Sequence, residues 1–80
     1  MDDDDLLDRI ETLTREERGL RLAAGPAGLS APEHERLAEV ARELEVLYDL
    51  RDRRRATAAA GGDPSQVGPR DADTVEGYLQ

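Results

Sequence analysis

LAEVARELEVLYDL, residues 37–50, is the stretch that decides the fold of this chain. Leu37, Val40, Ala41, Leu44, Leu47 and Tyr48 recur every three or four residues, the spacing of one apolar face on an α-helix. The pattern continues through Leu50 and the helical propensity through Ala58 to Ala60, where Gly61-Gly62-Asp63-Pro64 stops it. Upstream, Ser30-Ala31-Pro32-Glu33 has the form of a capping box, with Pro32 harmless in the first turn. A long helix over about residues 31–60 follows from these signals.

A second amphipathic segment precedes it. Leu6, Ile10, Leu13 and Leu20 fall on one face, with Glu17 and Ala24 in the remaining seam positions, which predicts a helix over about residues 3–24. Asp2 to Asp5 crowd its first turn, where they oppose the positive end of the helix dipole and offer N-caps. Gly25-Pro26-Ala27-Gly28 then stops it, Gly25 suiting a left-handed helix end and Pro26 preventing continuation. So short a turn, residues 25–30, makes the two helices antiparallel. Pairing them about Ala27 sets Leu13 against Val40 and Ala41, Ile10 against Leu44, and Leu6 against Leu47 and Tyr48.

Composition limits what such a hairpin can do. Eighty residues make one small domain with a thin core, and without Phe or Trp that core must be aliphatic. The chain has no Cys, which excludes disulfides and thiolate metal sites. Its net charge of -8 opposes general attraction to nucleic acid or anionic lipid. The acidic start is the reverse of a signal peptide and no apolar run approaches spanning length, so a cytoplasmic protein with no membrane partner is expected.

Residues 63–73 are polar and lack an apolar period, which reads as a tether. The ending Val75-Glu76-Gly77-Tyr78-Leu79-Gln80 is different, because three apolar side chains on so short a tail imply docking, on the hairpin or on a partner. Val75, Tyr78, Leu79, Gln80 and Tyr48 are therefore the interaction candidates. Arg51, Arg53, Arg54 and Arg55 form the one basic cluster and the candidate anion site. The hairpin brings Asp2 to Asp5 and Asp8 alongside these arginines, so pairing within the chain or between subunits accounts for them without a ligand. Glu17 on the seam and His34 near the turn are the only residues that suggest acid-base chemistry, and Arg21 or Arg36 offers Glu17 a partner. With no phosphate loop, nucleophile elbow or paired metal-ligand motif, neither enzyme activity nor a cofactor is expected.

Several of these residues together resemble a known family. The acidic start before Leu6 and Ile10, Glu16-Glu17 before Leu20-Arg21, Leu44-Glu45-Val46 leading to an aromatic and Asp49-Leu50, the arginine run and the ending Val75 to Gln80 are similar to the short actinobacterial proteins grouped as domain of unknown function 2630. The chain departs from that pattern at Tyr48, where the family tends to carry Trp, and at Arg51, where it tends to carry Leu. The resemblance implies a bacterial cytoplasmic protein and carries no catalytic residue.

The expected architecture is thus all-α: a coiled-coil-like antiparallel two-helix hairpin over residues 1–62, with residues 63–80 as polar tether and extended apolar tail. Leu7, Leu22, Leu50, Val75, Tyr78 and Leu79 lie off the main seam, which leaves apolar surface for a second layer. Two hairpins dimerising into a four-helix bundle would supply it. The functional expectation is a non-enzymatic interaction module, a homo-oligomer or one bound to a protein partner, with the anion or nucleic-acid adaptor as alternative.

Overall fold

The computed structural model describes residues 1–79, in which α1 spans Asp3–Ala23, α2 spans Ala31–Ala59 and α3 spans Ala72–Leu79, with a 3-10 turn at Pro64–Gln66. Asp2 caps α1, its carboxylate accepting from the Asp5 amide at 2.8 Å. Ala24 leaves that helix in extended backbone, and the Gly28 amide donates to the Gly25 carbonyl at 2.8 Å to close the turn. The left-handed residue is Gly28, with φ +79°, and not Gly25 as expected. Pro26 steers the residue before it away from helical backbone, so the reversal falls at the far end of the turn.

Both halves of the capping box form at the start of α2: the Ser30 amide donates to Glu33 Oε1 at 2.9 Å and the Glu33 amide to Ser30 Oγ at 3.3 Å. At its other end Gly61, with φ +83°, closes a Schellman motif. The Gly62 amide reaches the Thr57 carbonyl at 2.9 Å and the Gly61 amide reaches that of Ala58 at 3.1 Å.

Leu6, Leu13, Val40, Leu44, Leu47 and Leu50 form the buried core between α1 and α2, with Ile10, Tyr48 and Val67 packed against it. Two ion pairs between the helices fix their register. Arg9 binds Glu43 through Nε at 2.7 Å and Nη2 at 3.0 Å, and Arg36 binds Glu16 through Nη2 at 2.8 Å. Leu13 and Val40, set against each other by the seams, are both fully buried in this core.

The C-terminal segment is where expectation and structure part. Instead of an extended tail, residues 72–79 form a helix that packs on α2, and the expected tether includes a 3-10 turn capped by Asp63. Asp71 caps α3, accepting from the Thr74 amide at 2.8 Å, and Val75 is 2% exposed. Arg70 clamps Asp49 of α2, Nε to Oδ2 at 3.1 Å, while Arg42 reaches Asp73 at 3.1 Å and Glu76 at 3.2 Å. Eight residues are too few for a stable isolated helix, so this one exists through its contacts with α2. Leu50, read as lying off the seam, is 1% exposed because the returning chain adds a further layer to the core.

Candidate functional site

The seam between α1 and α2 has two flanks of opposite character. One carries the Arg9–Glu43 and Arg36–Glu16 pairs, with Arg36 also donating to Glu39 at 3.1 Å, so charged groups close it. The Arg36 guanidinium, hydrogen-bonded to Glu16, holds that carboxyl below the usual range against the opposing effect of desolvation.

The other flank is open. Leu7, Ile10, Thr14 and Glu17 lie in one row along α1, and Ala41, Tyr48, Arg51 and Arg55 in the facing row of α2. Leu7 is 53% exposed, while Ile10, Ala41 and Tyr48 are half-buried. Beyond the Asp3–Arg54 pair at its end, no ion pair spans this flank among the described residues. Toward the start of α1 it deepens into a groove of about 190 Å³, floored by Leu6, Leu7, Ala58 and Pro64 and edged by Arg51 and Arg55.

The arginine cluster does not act as a unit. Arg54 is the buried member, 8% exposed, and donates to Val67 O at 3.2 Å, Asp3 Oδ1 at 3.1 Å and Met1 O at 2.5 Å. It ties the start of α1 and the returning chain to α2. Arg53 points elsewhere, to Asp49 at 2.9 Å and Gly68 O at 2.6 Å. Arg51 stacks over Tyr48 at 4.9 Å and contacts Asp52 at 3.2 Å. Arg55 is exposed and has no ion-pair partner among the described residues. Of the expected contacts with Asp2 to Asp5 and Asp8, the one formed is Asp3 with Arg54, since successive arginines on a helix face different neighbours.

The tail candidates divide in the same way. Val75 is spent inside the fold, whereas Tyr78 is 69% exposed with Arg70 over its ring at 4.3 Å. Tyr48 and Tyr78 border a crevice between α2 and α3 with Glu45, Asp49, Asp52 and Val75, and Glu45 Oε2 is buried there without a hydrogen-bond partner. Leu79 ends α3, and Gln80 lies outside the described residues. Glu17 does not meet Arg36, which turns to Glu16 and Glu39, and His34 sits exposed in the first turn of α2. Among the described residues no group of three or more His, Cys, Asp or Glu is placed to hold a metal ion, and no helix is long and apolar enough to cross a membrane.

Sequence reasoning missed Asp49, Arg70 and Arg42, the anchors of α3. The Asp49 to Arg53 spacing was visible, but Arg70 and Asp73 meet α2 only after the chain has doubled back.

Residues 2–80 match the family described as protein of unknown function DUF2630. The chain belongs to that family. Similar proteins include an uncharacterized protein of Mycobacterium tuberculosis and one of Mycobacterium bovis. Each is 39% identical over 77 residues, covering 95% of this chain and 88% of theirs. No solved structure matches the chain. For this DUF2630 protein, then, the surface itself has to suggest the function.

Proposed function

We propose that this DUF2630 chain is a non-enzymatic protein–protein interaction module that self-associates, two hairpins pairing into a four-helix arrangement. The open flank carries the proposal: one side of the seam is closed by ion pairs, and the other presents Leu7, Ile10, Ala41 and Tyr48. A face of this kind is how antiparallel hairpins bury their remaining apolar surface in bundles. The folded-back α3 packs on α2, where Val75 and Tyr78 border Tyr48, but among the described residues it does not touch α1, and Leu7 stays 53% exposed.

Sedimentation equilibrium of the full chain tests the reading. A concentration-dependent mass approaching twice 8.8 kDa is expected. A folded species that stays at the single-chain mass up to roughly 100 μM would count against it.

The alternative, an anion or nucleic-acid adaptor built on Arg51, Arg53, Arg54 and Arg55, has less support. Arg53 and Arg54 are committed to acceptors inside the fold, and the whole chain carries -8. Salt-dependent titration with DNA or RNA separates the two readings, and no binding above background at low salt is expected.

A further inference from the structure

The open flank is not uniformly apolar, and its charge pattern is self-complementary. Leu7 lines its groove at the end near the start of α1. On the outer side of Leu7 lie Asp4 and Asp8, exposed and without an ion-pair partner among the described residues. On the α2 side lie Arg51, whose one carboxylate partner among the described residues is its chain neighbour Asp52, and Arg55, which has none among them. We infer that the partner seated on this flank is a second copy of the chain, with Leu7 of each copy entering the groove of the other and Asp4 and Asp8 meeting the partner's arginines. The inference rests on the self-association reading and specifies its surface and symmetry.

The symmetry follows from the charges. A twofold interface joins the same patch on both subunits, and its axis lies in the plane of contact. With the axis parallel to the helices and passing by Leu7, left and right exchange at constant height. The acidic edge of each α1 then lies over Arg51 and Arg55 of the other copy. With the axis perpendicular to the helices, acid would face acid and arginine would face arginine, an arrangement that like-charge juxtaposition penalises. The parallel axis also places Leu7 against the facing groove, which Leu6, Leu7, Ala58 and Pro64 line together with Asp3, Arg51, Arg54 and Arg55. The hairpin turns at Gly25 to Gly28 of both copies therefore point the same way.

Charge reversal of the full chain, read by sedimentation equilibrium and by circular dichroism for folding, provides the test. Two double variants are made: Asp4→Arg with Asp8→Arg, and Arg51→Glu with Arg55→Glu. Each alone is expected to weaken dimerisation roughly tenfold or more, and an equimolar mixture is expected to restore it as a heterodimer. Raising the salt concentration should weaken the wild-type dimer in parallel, because these charges sit at an exposed rim. Leu7→Glu, at an exposed position that leaves the core intact, should abolish association while helicity is retained. A wild-type chain that is monomeric throughout overturns the self-association reading and this inference with it. A wild-type dimer indifferent to Leu7→Glu and to both charge reversals leaves self-association standing and overturns this surface. Double variants that dissociate but fail to recombine overturn the parallel axis.

Discussion

Arg54 binds together three parts of the chain that are remote in sequence. Its guanidinium donates to Met1 O, Asp3 and Val67 O while its side chain is 9% exposed. Arg54→Ala strands these acceptors and should cost about 2–3 kcal/mol, measured as a shift in urea midpoint. Arg54→Lys should recover little of that, since a single ammonium cannot span the fork of a guanidinium. Glu45 is the opposite case: its Oε2 is buried with no partner. Glu45→Leu keeps a similar volume and removes the orphaned oxygen. It should raise stability by about 1 kcal/mol, a melting-temperature gain of roughly 4–8 °C in a domain of this size. An unchanged or lower melting temperature would mean the carboxylate is not a cost to the fold.

At the scale of elements, the end of α2 and the docking of α3 are separable. Gly61 holds φ +83°, a backbone region that side chains with a Cβ disfavour. Gly61→Ala should therefore destabilise by about 1 kcal/mol in thermal unfolding. The docking of α3 rests on the buried side chain of Val75 and on ion pairs that include Arg70 with Asp49. Val75→Asp should free α3, seen as loss of amide protection over residues 72–79 while α1 and α2 stay protected. Acid should weaken the same contact. The Arg70 hydrogen bond, and after it that of Arg53, hold the Asp49 carboxyl below its ordinary 3.8, against a desolvation effect that would raise it. A carboxylate lowered in the folded state contributes stability that is complete above the unfolded value and is lost as pH falls through the folded one. Protection of α3 should thus be insensitive to Asp49 titration from about pH 5 to 7 and decline below about pH 4.

The molecule as a whole is 51 × 26 × 16 Å, long and thin, and its core is a row of side chains rather than a globule. Each member of the row carries a large share of the stability. Leu13, fully buried, should cost about 3 kcal/mol when changed to Ala. Toward the turn the row weakens: Leu20, Leu29 and Leu37 are half-buried and Leu22 is 78% exposed. Hydrogen exchange should therefore be faster around the turn than at the opposite end, where Arg54 and the returning chain close the structure.

How much of this was legible depended on the range of the interaction concerned. Both long helices, the cap at Ser30, the stop at Gly61 and the burial of Leu13 and Val40 in one seam could be read from the residues, whereas four successive aspartates left the cap of α1, which is Asp2, open. Those features arise from local backbone chemistry and from apolar periods long enough to register. The helix at residues 72–79 also carries helical spacing, with Val75, Tyr78 and Leu79 at steps of three and four, but it is too short to specify itself. Folding against α2 decided it. The same holds for the partners of the charged residues. Arg36 chooses Glu16 over Glu17, and Arg53 chooses Asp49 over the acidic N-terminus. The sequence alone determined where the helices lie and which faces they bury. Tertiary structure decided which ions pair, where the tail docks and which flank stays open, because each depends on groups that meet only after the chain has turned back on itself.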